Sequence, residues 1–309
     1  YRGAWGRPVD NERRRKRRRK RIMKALIAWA VCILLVGLIA VGTVRVVSSV
    51  ASSKKRQFRQ DGIEKLVSGD YTGAIEAFDT ALEKSGKKSD GFNSDVLGYR
   101  AEAEYKLRDY EAAVHTYGLL LEMKPDTAVY LYAQSMCYAH LGDTDNAIDR
   151  YHAGNAVQKE DKDEAGRQEA LFAAGGACVD AGEYEKAMGL YQDAIREGVK
   201  HGQVYNQMGL CQMAEKDYQG ALDSFNQGYE TFVTGHSLGS GAEPAQAAAA
   251  LNADARADMA LLKELVYNRA VAYEYLSEYK KALGLFEDYV SVFGPNEDAE
   301  HEIAFLKTR

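Results

Sequence analysis

One string recurs six times along the chain: an acid, usually an aromatic beside it, an alanine, an apolar residue, and Phe or Tyr four residues past that alanine. The copies read DYTGAIEAF, DYEAAVHTY, DTDNAIDRY, EYEKAMGLY, DYQGALDSF and EYKKALGLF. Their alanines are Ala74, Ala113, Ala147, Ala187, Ala221 and Ala282, spaced by 39, 34, 40, 34 and 61 residues. A period near 34 predicts a helical-hairpin solenoid, in which a unit hides its apolar face only by stacking on its neighbours.

The spacing inside a unit is helical. Phe78, Tyr117, Tyr151, Tyr191, Phe225 and Phe286 lie one turn beyond their alanines, on the same face. Twelve residues before each alanine stands a small residue: Gly62, Ala101, Ser135, Gly175, Gly209 or Ala270. A small side chain there lets two antiparallel helices approach. The turns read Ser68-Gly69-Asp70, Leu141-Gly142-Asp143 and Ala181-Gly182-Glu183. Glycine suits the end of one helix and the acid the start of the next. With 4 prolines in 309 residues and no sustained two-residue alternation after residue 50, no sheet is expected.

These residues resemble the tetratricopeptide repeat family over roughly residues 55–295. The best unit joins Tyr205-Asn206-Gln207-Met208-Gly209-Leu210 to Asp217–Phe225, and Lys124-Pro125 closes the second unit. Gly154 and Gly228 depart from the family's preference for alanine. The resemblance implies an all-α, right-handed superhelical solenoid of about six hairpins, and a concave groove lined by the first helix of each unit. Carried over residue by residue, the groove takes Tyr105, Tyr132, His140, Phe172, Asn206, Met213, Tyr267, Glu274 and Tyr275. Some relatives clamp acidic chaperone tails with Lys, Arg and Asn. This chain has Asn206 and Asn268 but few cations there beyond Arg56 and Arg59, so that function is not expected.

The N-terminus differs from the rest. Arg13–Arg21 reads RRRKRRRKR, and the twenty residues of Ala25–Val44 carry no formal charge. A helix of that length rises roughly 30 Å, the thickness of a hydrocarbon core. The expected organisation is a basic cytoplasmic tail (1–24), a transmembrane helix (25–47), a repeat solenoid (48–295, with an insertion at 229–262) and a capping helix (296–309). The ten Lys or Arg of residues 13–24 against five on the far flank predict a cytoplasmic N-terminus and an extracytoplasmic solenoid. Arg13–Arg21 would also meet anionic lipid heads. The chain opens on Tyr1, compatible with a fragment, and residues 1–12 are expected to be disordered. Residues 1–24 carry +10 of a total of −5, leaving about −15 for residues 25–309. No nucleic-acid partner is expected of so acidic a solenoid.

Polar linkers are expected at 83–94 and 157–167. In the insertion, Thr234–Pro244 reads as a loop and Ala245–Leu262 as helix, either lengthening the next hairpin or packing outside it.

Signals for chemistry are sparse. Gly235-His236-Ser237-Leu238-Gly239 spells the G-x-S-x-G of a serine hydrolase, but that chemistry needs a strand-to-helix elbow and the preceding residues belong to a repeat helix. Cys137, Cys178 and Cys211 fall at packed first-helix positions without a C-x-x-C pair. No paired His spacing or phosphate-binding glycine loop occurs, so no cofactor, metal or catalytic residue is expected. The sequence therefore predicts a non-catalytic, membrane-anchored scaffold that holds a protein or peptide in its groove, in bacterial envelope assembly or secretion. A regulatory or sensor subunit signalling through the membrane helix is the alternative, and a serine hydrolase a remote one.

Overall fold

The computed structural model describes residues 53–86, 90–158, 166–251 and 255–309. Among them are fourteen helices and no strand. Helix α1 covers residues 53–68. It is followed by α2 (Tyr71–Ser85), α3 (Asp90–Leu107), α4 (Tyr110–Met123), α5 (Ala128–His140), α6 (Thr144–Val157), α7 (Arg167–Asp180) and α8 (Tyr184–Arg196). Then come α9 (Gly202–Ala214), α10 (Tyr218–Gly235), α11 (Pro244–Ala250), α12 (Arg256–Tyr275), α13 (Tyr279–Phe293) and α14 (Glu297–Leu306).

The six repeated strings each begin a second helix, and the turn before it is built the same way every time. One residue takes a left-handed conformation: Gly69, Gly142 and Gly182 in three turns, Arg108, Lys216 and Ser277 in the others. The N–H of the acid that follows reaches back five residues, as in Asp70 N to Lys65 O (2.9 Å), Asp143 N to Tyr138 O (3.0 Å) and Glu278 N to Tyr273 O (2.9 Å). This closes the first helix with a Schellman turn. The same acid opens the next helix. Asp70, Asp109, Asp143 and Asp217 each accept the N–H three residues on, at 3.0, 3.1, 3.2 and 3.0 Å. Glu183 and Glu278 make no such cap. Glu183 instead accepts from Thr144 Oγ1 of the preceding hairpin at 2.6 Å, and that bond, followed by Lys186, holds its carboxyl below the ordinary range.

Helix approach depends on the small residues. A Cβ on Gly62, Gly175 or Gly209 would lie 2.5, 2.1 or 2.4 Å from Phe78, Tyr191 or Phe225. Ser135 uses its place differently, donating from Oγ to Ala147 O at 2.7 Å. The two glycines that depart from the family pattern have the same cause. A Cβ on Gly154 would meet the Tyr132 ring at 2.4 Å, and one on Gly228 would meet Leu265 at 2.8 Å.

The helices fall into two units, one ending at Ala103 and the other spanning Glu104–Arg309. In the first, Ala74, Phe78, Ala81, Val96 and Ala103 form the core, with Phe78 stacked on Tyr99 at 6.0 Å. In the second, each hairpin packs on the next through contacts such as α5 with α7, α8 with α9 and α10 with α12. Its largest core runs from Ala128 through Tyr132, Tyr151, Ala174 and Tyr191 to Cys211. A terminal core of Ala270, Ala282, Phe286, Ala299 and Leu306 is closed by α14.

The insertion resolves both ways at once. Helix α10 runs on to Gly235, α11 is a separate short helix, and α12 reaches 20 residues. Tyr229, Phe232, Val233, Ala247, Leu261, Leu262, Leu265 and Val266 form a core of their own there. The expected linker at 83–94 is shorter than read: residues 83–85 end α2 and residues 90–94 begin α3.

The basic tail and the segment 25–47 lie outside the described residues. Among the described residues no helix is long and apolar enough to cross a membrane. This overturns the expected localisation in a cytoplasmic membrane. The longest described helix, α12, spans 20 residues but carries Arg256, Asp258, Lys263, Glu264, Arg269 and Glu274.

Candidate functional site

Surface-reaching aromatic and polar groups gather at first-helix positions of the second unit. Near the start of that unit three rings meet. Tyr110 stacks on His140 at 4.4 Å, Tyr105 stands edge-on to both, and the Tyr105 hydroxyl is hydrogen-bonded to His140 Nε2 at 3.1 Å. Burial, then the charge of Arg108, lowers the His140 pKa, so its ring is neutral at pH 7. Phe172 on α7 is half-buried, tilted against Tyr191 and edge-on to His201 at 6.3 Å. His201 Nδ1 accepts from Gln203 N at 3.2 Å, which fixes the ring as the N-cap of α9. Met213 is half-buried against Ala221, Leu222, Phe225 and Ala272.

Two of the expected groove residues offer no surface. Tyr132 is 0% exposed, with its hydroxyl 2.8 Å from both Asn155 Oδ1 and Gln158 Oε1. Gly154 admits its ring into the core, and there it stays. Asn206 is also 0% exposed. It donates to Glu264 Oε2 and accepts from Asn268 Nδ2, each at 2.9 Å, forming a polar bridge between α9 and α12. A fully buried amide bonded on both sides presents nothing at the surface to a ligand. Both residues are therefore corrected from groove to framework.

Tyr267, Glu274 and Tyr275 do come together. With Val271, Tyr279, Glu302 and Phe305 they line a cavity of about 430 Å³ between α12, the start of α13, and α14. Tyr275 is 57% exposed and stacks on Tyr218 at 4.7 Å; Phe305 and Tyr279 are 37% and 36% exposed. Tyr267 is wedged edge-on between Phe286 and Tyr289 at 5.3 and 5.6 Å. Burial raises the Glu274 pKa, and the charge and hydrogen bonding of Glu302 raise it further. Sequence reading missed Tyr279, Glu302 and Phe305, because they belong to the turn and the cap rather than to first-helix positions.

A sequence profile of the family described as "Tetratricopeptide repeat" matches residues 62–118 and 99–154. Residues 62–154 carry tetratricopeptide repeats. No curated protein matches it. Among solved structures, this repeat protein is similar to MamA, at 19% identity over 58% of this chain and 92% of that one, with a TM-score of 0.47. It is similar to YrrB, described as having an unusual peptide-binding site, at 17% identity over 76% and 100%, with a TM-score of 0.46. A tetratricopeptide repeat protein from Parabacteroides merdae is 16% identical over 82% of this chain and 99% of that one, with a TM-score of 0.46.

The hydrolase-like string of this repeat protein sits in helical surroundings. Gly235 ends α10, and Ser237 is exposed in the turn, its N–H bonded to Thr234 O at 3.1 Å. The neighbouring His236 is engaged by Phe232 O at 2.9 Å and by Asp258 at 3.4 Å. A nucleophile elbow needs a strand running into that turn, and the element here is a repeat helix. Cys137, Cys178 and Cys211 are free and buried. Burial pushes the Cys137 thiol up to about 12 and the Cys211 thiol to about 11, so both stay protonated and unreactive at neutral pH.

Proposed function

We propose that this protein is an interaction scaffold whose first-helix positions in the second unit hold a segment of a partner protein. The observation that carries the reading is the recurrence of partly exposed rings on the first helices of four hairpins: Tyr105 on α3, His140 on α5, Phe172 on α7, and Tyr267 with Tyr275 on α12. Rigid aromatics with a polar tip make good anchors, each worth about 2 kcal/mol when a partner buries it. Stacked hairpins fix their separation, so an elongated segment can touch several at once. Binding is the activity, with no reaction catalysed. The envelope setting expected from the sequence rested on a membrane anchor and is dropped with it.

The test is site-specific photocrosslinking. A benzoylphenylalanine at Tyr105, Phe172 or Tyr275 should trap one and the same protein, while exposed second-helix positions such as Glu185 and Asp223 should trap none. Equal capture from both sets would refute the assignment of the face.

A further inference from the structure

We propose that the cavity between α12 and α14 receives the side chain of an arginine on the partner protein. The proposal rests on the scaffold reading above and names the partner's chemistry at one end of that face. The cavity walls supply what a guanidinium selects. Tyr267, Tyr275, Tyr279 and Phe305 line it with aromatic rings, and Glu274 and Glu302 bring two carboxylates into the same space. Its volume, about 430 Å³, lies within the range of clefts that enclose small ligand groups. None of its seven lining residues is basic.

The carboxylates decide the sign of the ligand. Glu274 and Glu302 are close enough to repel, and Asp298 adds its negative charge beside the Tyr267 hydroxyl. An anionic or neutral segment would leave that repulsion in place. A cation relieves it and stacks on the rings as it does so. Arginine fits better than lysine. Its planar group lies flat on aromatic faces, presents five donors to two carboxylates, and is more weakly hydrated.

This chain already treats its own guanidinium groups in this manner. Arg309 lies 4.5 Å from the ring centre of Phe305. Arg269 lies 4.5 Å from the Tyr229 ring centre while donating to Asn226.

The experiment titrates the full chain with two labelled peptides, Ac-Gly-Leu-Arg-Leu-Gly-NH2 and the same peptide with citrulline, a neutral isostere of arginine. The arginine peptide should bind about tenfold more tightly at physiological salt. Glu302→Gln and Glu274→Gln should each abolish most of that preference, and Tyr275→Ala should weaken the arginine peptide about fivefold. Glu185→Gln, at an exposed second-helix position outside the proposed face, should leave the affinity for both peptides unchanged. Circular dichroism and melting confirm that each variant is folded. Equal affinity for the two peptides, or a preference that survives both glutamine variants, overturns the proposal. If the crosslinks at Tyr105 and Phe172 persist while the peptides are not distinguished, the scaffold stands and the arginine cavity falls.

Discussion

Single atoms decide how closely two helices of a hairpin can lie. The hydrogen that stands for a side chain at Gly209 leaves room for the Phe225 ring, where a methyl would sit 2.4 Å from it. Gly209→Ala should therefore lower stability by about 1–3 kcal/mol in urea unfolding. Gly189→Ala is the control: nothing lies within 4 Å of its would-be Cβ, so improved helix propensity should leave stability unchanged or raise it by up to about 1 kcal/mol. Position 209 was legible in the sequence through its twelve-residue offset from Ala221. Gly154 and Gly228 were visible only as departures, because their reason lies in rings and side chains from other helices. Charge at Glu274 yields a second prediction. Its raised pKa means the folded state holds the proton more firmly than the unfolded chain. That contribution is fully present below the unfolded carboxylate range, near pH 4.3, and is lost as pH rises through the raised folded value. Glu274→Gln should gain in melting temperature over the natural chain between pH 4 and pH 7.

Each element is punctuated by its ends. Three turns carry the glycine that a left-handed residue prefers, and their position was readable directly. The other three place Arg108, Lys216 and Ser277 at φ of 66°, 66° and 62°. No residue type announces those turns; only the acid after each one does. Replacing Lys216 by glycine should relieve the left-handed conformation and stabilise the protein by about 1 kcal/mol, measured by thermal unfolding. The groove was read less well than the helices. Helical phase tells which side of α5 carries Tyr132, but a ring on that side can point into the neighbouring helix as easily as into solvent. The size of residue 154, on another helix, chose between them.

At the scale of the whole chain, stability is passed between neighbours. Helix α14 covers Ala282 and Phe286 with Ala299 and Leu306. Leu306→Ala should cost about 2–4 kcal/mol locally. It should speed amide hydrogen exchange in α12 and α13 while leaving α5–α8 unaffected. The sequence reading placed a helix in residues 296–309, and α14 lies there. The place of Glu302 and Phe305 in a cavity lining was not legible, since they reach it only once α14 lies beside α12.

The bridge from Asn206 to Glu264 and Asn268, together with the separate core of the insertion, makes the α9–α12 junction unlike the others. Across this seam a spare hairpin would find no matching amide and no matching pocket. In a lineage that grows and shrinks by copying modules, a copy that parted α9 from α12 would leave the buried Asn206 amide without Glu264 and Asn268.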